Sequence, residues 1–415
     1  MLTWLIICLT LSPFTQAAGA QFPQAAISDS AIRASLYLPD ARSGYYRATR
    51  FDWSGVIASL EWHGHNFFGQ WFDRHDPTIH DAITGPVEEF LTDGAGLGYD
   101  EAKAGGSFVR IGVGAVRKPD EPKYRQFSTY EIVDPGKWTV TKSSDWVQFV
   151  HELHDTAGYA YVYRKKLRLV GNTLVLEHQL KNTGRKTIAT SVYEHNFFML
   201  DGKPTGPDLI VRFAFEPHAT GALNGLADVR GKTLVYLQEL QPRETVQTDL
   251  EGFGAGAKDY DIRVENRRTG AGVRQTGDRP MSKLHLWSIR TTVCPEAFID
   301  LRIEPGNESS WRIRYEFYDV PRFAQHSSVT IELLQDVEVT QESPVHLSRG
   351  KLYLDDRNAK PFRLRQAQRF VMIRKGSEGS CRIRFEDTEY GLSSCPWMEG
   401  FTDHQTDIFR VVAGK

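Results

Sequence analysis

The residues best placed for chemistry are Tyr193 and His195, in the run LVLEHQLKNTGRKTIATSVYEHNFFML from Leu174 to Leu200. Strand periodicity puts Ile188, Thr190, Val192 and Glu194 on one face and Ala189, Ser191, Tyr193 and His195 on the other. An imidazole titrates near neutrality and can give and retake a proton, so His195 is a candidate acid or base. The competing reading is a core histidine bonded to a backbone carbonyl. Two adjacent carboxylates, Glu88 and Glu89, follow the turn at Gly85-Pro86. Strand neighbours point to opposite faces, so at most one of them, with Glu89 the candidate, lines a given cleft. In Phe108–Lys118, Arg110 shares a face with Gly112 and Gly114, which leaves room for a ligand or for a closely packed strand. His63, His65, His75 and His80 sit in turns or loops with no third ligand at fixed spacing, so no metal and no cofactor are expected. His151 and His154, at a strand end, are expected to be solvated. The glycine-rich run Gly94–Glu101 lacks the Gly-x-Gly-x-x-Gly spacing and a following helix, which excludes a nucleotide loop.

The elements that must position these residues are short strands. Leu174, Leu176, His178 and Leu180 alternate with Val175, Glu177, Gln179 and Lys181, and the polar break Asn182–Lys186 reads as the turn of a β-hairpin whose return strand carries His195. Further strands are expected at Val56–Trp62, within Phe108–Lys118, on either side of a turn at Asp155–Gly158, and around Leu209–Phe215, Thr233–Leu240 and Tyr260–Glu265. Residues 249–259 read as a loop over a cleft. A second hairpin is expected around the turn Glu304-Pro305-Gly306-Asn307. Helical periodicity is nearly lacking, so the fold class is all-β.

Residues 1–20 are apolar and end in Ala18-Gly19-Ala20, a signal-peptide pattern that implies a secreted or periplasmic protein; an uncleaved anchor is the alternative. Residues 21–325 form the main β domain and 326–415 a small β appendage. No later stretch could span a membrane. In an exported chain Cys381 and Cys395 are the natural disulfide pair, leaving Cys294 as a buried thiol. Lys and Arg total 50 against 52 Asp and Glu, which gives no electrostatic reason to expect nucleic acid. The aromatic content of 12% suits a β-rich core and also surfaces that stack on sugar rings.

The run YEHNFFML resembles the histidine signature of the galactose mutarotase (aldose 1-epimerase) superfamily, and the strand–turn–strand before it is similar to the segment leading into that histidine. The segment VCPEAF, ahead of the Pro-Gly turn, is similar to the C-x-E segment that bears the catalytic glutamate in one branch of the family. The resemblance covers about Tyr45 to Tyr318 and implies a β-supersandwich acting on a sugar or glycan. It implies His195 as proton donor to the ring oxygen, Glu296 as general base, and Tyr193 and Arg110 as hydroxyl ligands on the same face. It lends Asp259 and Asp261 a weaker claim as sugar ligands. The family's second histidine is absent where Leu97-Gly98-Tyr99-Asp100-Glu101 stands, so Tyr99 or Asp100 would have to replace it. The implied activity is aldose 1-epimerase-like interconversion of sugar anomers, provided His195 and Glu296 converge across a sugar-sized gap. Three alternatives remain: glycan binding without catalysis, a lyase-type glycan enzyme, and a structural envelope protein.

Overall fold

In the computed structural model, described residues run from 22 to 320, with eight short strands between 330 and 412 described by their backbone alone. Residues 1–21 and Cys381 and Cys395 lie outside them, and so do the signal and disulfide expectations. Among the described residues the structure is strands, loops and two 3-10 turns, as the all-β expectation requires. No described helix is long and apolar enough to cross a membrane.

Nine strands position the site. They are β1 (Val87–Leu91), β2 (Trp146–Thr156), β3 (Tyr159–Val170), β4 (Thr173–Asn182), β5 (Ile188–His195), β6 (Val246–Glu251), β7 (Lys283–Ile289), β8 (Thr292–Ile303) and β9 (Glu308–Asp319). A six-stranded antiparallel sheet contains the order β6-β7-β8-β5-β1. A ten-stranded sheet contains the order β9-β4-β3-β2. The main hydrophobic core joins Leu174, Leu176 and Leu180 of β4 to Ile188 and Val192 of β5 and Ile299, Leu301 and Ile303 of β8. Each sheet therefore turns one face of its alternating strands into a shared interior.

This arrangement overturns the two expected hairpins. β4 pairs with β3 and β9, while β5 pairs with β8 and β1, so the chain crosses from one sheet to the other at Asn182–Thr187. It crosses again between β8 and β9. The two crossings lie side by side. The Asn182 side chain donates to the carbonyls of Lys186 and Ile303, and its backbone exchanges hydrogen bonds with Gly306 and Asn307. Period-2 alternation shows which residues face a core, yet it is the same for strands joined edge to edge and strands joined across a core.

A second, smaller core covers part of the outer face of the six-stranded sheet. Tyr46, Phe51, Trp53, Trp71, Ile83 and Phe108, from the loop-rich segment before β2, pack with Val87, Phe197 and Cys294. Cys294 is a buried free thiol. Two smaller expectations also change. Asp249 lies in β6 rather than a loop. His151 is fully buried, with Nε2 2.9 Å from the Pro135 carbonyl and Nδ1 3.0 Å from the Tyr161 hydroxyl, because it points from β2 into the sandwich.

Candidate functional site

Register places the candidate residues in rows across the outer face of the six-stranded sheet. Tyr193 is opposite Phe298 on one side and Glu89 on the other, and Phe298 is opposite Lys283. Two residues further along, His195 is opposite Val87, Glu296 is opposite His285, and His285 is opposite Asp249. Since alternate residues share a face, His195, Glu296, His285 and Asp249 form one transverse row.

His195 Nε2 lies 3.2 Å from Glu296 Oε1, and both side chains are at least nine-tenths buried. The expected sugar-sized gap between them is closed, so acid and base touch. The imidazole stacks on Phe197 at 3.8 Å and meets Phe51 and Trp287 edge-on. Its Nδ1 is buried without a partner. Burial pushes the His195 pKa well below its usual value, and the nearby Arg50 and His285 push in the same direction. Burial pushes Glu296 up to about 8, with Arg50 opposing and Glu89 adding to the rise. These shifts favour a protonated Glu296 beside a neutral imidazole. Next along the row, His285 Nδ1 lies 2.6 Å from Asp249 Oδ1.

Glu89 anchors the floor beside this pair. It accepts from Arg50 Nε at 2.9 Å, from the Tyr193 hydroxyl at 2.5 Å, from Gln126 Nε2 at 3.0 Å and from Arg110 Nη2 at 3.3 Å. Burial alone would raise its pKa, but Arg50 and Arg110 outweigh it and hold the carboxylate below its usual range. Arg50 also donates to the Tyr193 hydroxyl and lies over the rings of Phe51 and exposed Phe127. Gly85, just before β1, is needed for close approach, since a Cβ there would lie 2.1 Å from the Asn196 carbonyl oxygen.

The structure brings His195, Glu296, Tyr193 and Glu89 together. Arg110 reaches Glu89, but its other bonds go to the carbonyls of Thr49, Arg50, Phe90 and Ala95, so its guanidinium braces the loops behind the site. Tyr99 is placed elsewhere, with its hydroxyl donating to Glu121 and its ring against Phe108 and Tyr124; Asp100 is exposed in the adjoining turn. Asp261 is bonded by Arg274 on the ten-stranded sheet, and Asp259 accepts from the Gly254 amide. His65 is tied to Asp201 and His75 to the Tyr45 carbonyl. The His80 ring lies tilted against Phe127, with centroids 5.0 Å apart.

Sequence reasoning missed Arg50, Gln126, His285, Asp249 and Trp287. For two of these a signal existed: Lys283, His285 and Trp287 alternate with Leu284, Leu286 and Ser288, a polar and aromatic face against an apolar one. The described residues whose donor atoms approach closely enough to share an ion, Glu88, His178 and Glu194, lie on the opposite face of the sheet.

No family model and no curated protein matches the chain. Solved structures do. A protein from Synechocystis sp. PCC 6803 matches over 76% of this chain and 100% of its own, at 14% identity and a TM-score of 0.46. The GalM/aldose epimerase homologue from C. elegans matches over 72% and 99%, at 14% identity and a TM-score of 0.47. The galactose mutarotase related enzyme from Lactobacillus acidophilus matches over 72% and 98%, at 14% identity and a TM-score of 0.44. Galactose mutarotase-like proteins are among its structural neighbours.

Proposed function

We propose that the protein interconverts the anomers of an aldose, or of the reducing end of a glycan, with His195 and Glu296 as the proton-transfer pair. The observation that carries this reading is the 3.2 Å approach of His195 Nε2 to Glu296 Oε1 on the outer sheet face. Opening a sugar ring at C1 requires one proton to leave the C1 hydroxyl and one to reach the ring oxygen. These two oxygens are bonded to the same carbon and lie closer together than the two protein atoms do. A neighbouring acid and base can therefore address both from one side. With the proton resting on Glu296, the carboxylic acid gives to the ring oxygen while His195 takes from the hydroxyl. Closure after rotation of the aldehyde runs the transfers backwards, so each group serves in both roles. This first step reverses the roles implied by the family resemblance, because burial places the proton on the glutamate. Arg50, oriented by Glu89 and Tyr193, would hold a neighbouring hydroxyl, and Trp287 and Phe298 offer apolar surface for the sugar face. On the sequence pattern of residues 1–20, the proposal includes action after export.

The test is anomer exchange measured by magnetisation-transfer NMR with a panel of aldoses and short glycans. Exchange above background, lost in His195→Asn and in Glu296→Gln, supports the reading. Saturable binding without exchange would replace it by a second one, glycan binding alone. The placement of Tyr99 favours that alternative: with its hydroxyl taken by Glu121, it supplies no replacement for the missing second histidine.

A further inference from the structure

The strands that carry the site outward carry a second set of ionisable groups inward. Glu88 and Glu194 alternate with Glu89 and His195, so they enter the sandwich between the two sheets. His178 of β4 and Lys165 of β3 meet them from the ten-stranded sheet, and Asp52 completes the group from a loop. All five are buried, none more than 3% exposed. Three carboxylates outnumber the one ammonium in a medium where an unpaired charge is very costly. Lys165 is spoken for: its Nζ bonds Glu88 Oε2 and the Ser54 carbonyl and lies 3.9 Å from Asp52 Oδ2. The other side of Glu88 faces the imidazole, with Oε1 2.6 Å from His178 Nε2. Glu194 Oε1 is 3.8 Å from that same nitrogen, and both Glu194 oxygens are buried without any hydrogen-bond partner. Nothing in the proposed sugar chemistry uses these groups.

We propose that Glu88, His178 and Glu194 bind a divalent transition-metal ion of the zinc class, which ties the two sheets together at the centre of the sandwich. Donor atoms of the three side chains all lie within 4.8 Å of one another. Around a tetrahedral ion with bonds of about 2.0–2.1 Å, neighbouring ligand atoms sit about 3.3 Å apart. The separations of 2.6 and 3.8 Å at the His178 nitrogen bracket that value. One imidazole with two carboxylates suits zinc and its neighbours better than calcium or magnesium, which take oxygen ligands. A divalent ion would let both carboxylate ligands ionise while Lys165 keeps its own partners. This site is independent of the proposed catalysis, and no motif in the sequence announces it. Because its ligands are sealed between sheets, the ion enters during folding and is held against chelators afterwards.

The experiment is elemental analysis of the full chain, prepared without chelators or a polyhistidine tag. The chain is then unfolded in denaturant with EDTA and refolded with and without zinc, manganese or cobalt. The expected result is about one ion per chain, retained when folded protein is dialysed against EDTA and lost after unfolding. Refolding with metal restores the melting temperature, and refolding without it leaves a lower one. In Glu194→Gln the metal content should fall roughly tenfold or more. Wild-type protein that holds none of these metals, as prepared and after refolding, would overturn the proposal. So would a Glu194→Gln variant that keeps a full complement. Should that variant fail to fold, the wild-type metal content and the metal dependence of its refolding decide alone. A metal-free result with an infrared band of a buried carboxylic acid, absent in Glu194→Gln, would instead assign the missing positive charge to protons.

Discussion

Glu194 and His195 are consecutive in β5, as Glu88 and Glu89 are in β1, yet each pair is divided between two environments. Outward, His195 and Glu296 meet at the edge of a small aromatic core, with Arg50 and Tyr193 nearby. Inward, Glu88, Glu194, His178, Lys165 and Asp52 are packed between two sheets and sealed from the surface. The difference is that similar side chains, one residue apart, are asked for opposite things. The outer set must exchange protons with a ligand and so tolerates replacement as long as the sheet is intact. The inner set exchanges nothing, and its loss strands charges in the core.

The comparison can be broken at several points. Replacing His195 by Asn is expected to lower anomer exchange by about 10²–10⁴-fold while changing urea unfolding by no more than about 1 kcal/mol. An equal loss of stability would show that the outer pair is structural after all. On the inner face, Lys165→Met should cost about 3–5 kcal/mol in urea unfolding, because it leaves Glu88 and Asp52 without their shared cation. An unchanged midpoint would mean that the inner charges are compensated in some other way. The outer face also predicts a pH dependence. Glu296 has a folded pKa raised from 4.5 to about 8, chiefly by burial. Its stabilising contribution is therefore fully present below 4.5 and lost as pH rises through about 8. Unfolding free energies of wild type and Glu296→Gln followed across that window should diverge, with wild type declining more steeply toward high pH. Parallel curves would mean that the carboxyl is ionised in the folded protein. The smallest effect belongs to Tyr193→Phe, which removes a hydrogen bond to Glu89 and should cost about 1–2 kcal/mol of stability. It should weaken sugar binding more than it slows the chemical step.

Much of this was legible in residue order, and the reasons for the rest are physical. Alternation from Ile188 to His195 gave the right faces, and the all-β class followed from the same pattern. The inner cluster had left a trace as well: His178 interrupts the stripe Leu174, Leu176, Leu180, and Glu194 follows Ile188, Thr190 and Val192. A charged residue in an apolar stripe asks for a partner, but the stripe does not say which strand provides it. Arg50 was illegible because it reaches the site from an irregular segment without period. The hairpins failed because Asn182–Lys186 would serve equally well as a turn within a sheet or as a crossing between sheets.

Those paired crossings have a consequence for how the chain is made. The partner of β4 beyond β3 is β9, and β5 lies between β8 and β1, so none of β4, β5 and β8 pairs with its immediate successor. On the ribosome, the segment around His195 emerges long before Phe298 and Tyr315 exist to receive it. Until Asp319 has left the exit tunnel, β4 and β5 keep open edges and a stripe of leucines without a cover. Such non-local pairing folds slowly. The nascent chain is therefore expected to depend on holding factors during synthesis, and a messenger truncated shortly before the codon for Thr292 should yield a product that aggregates rather than a smaller working domain.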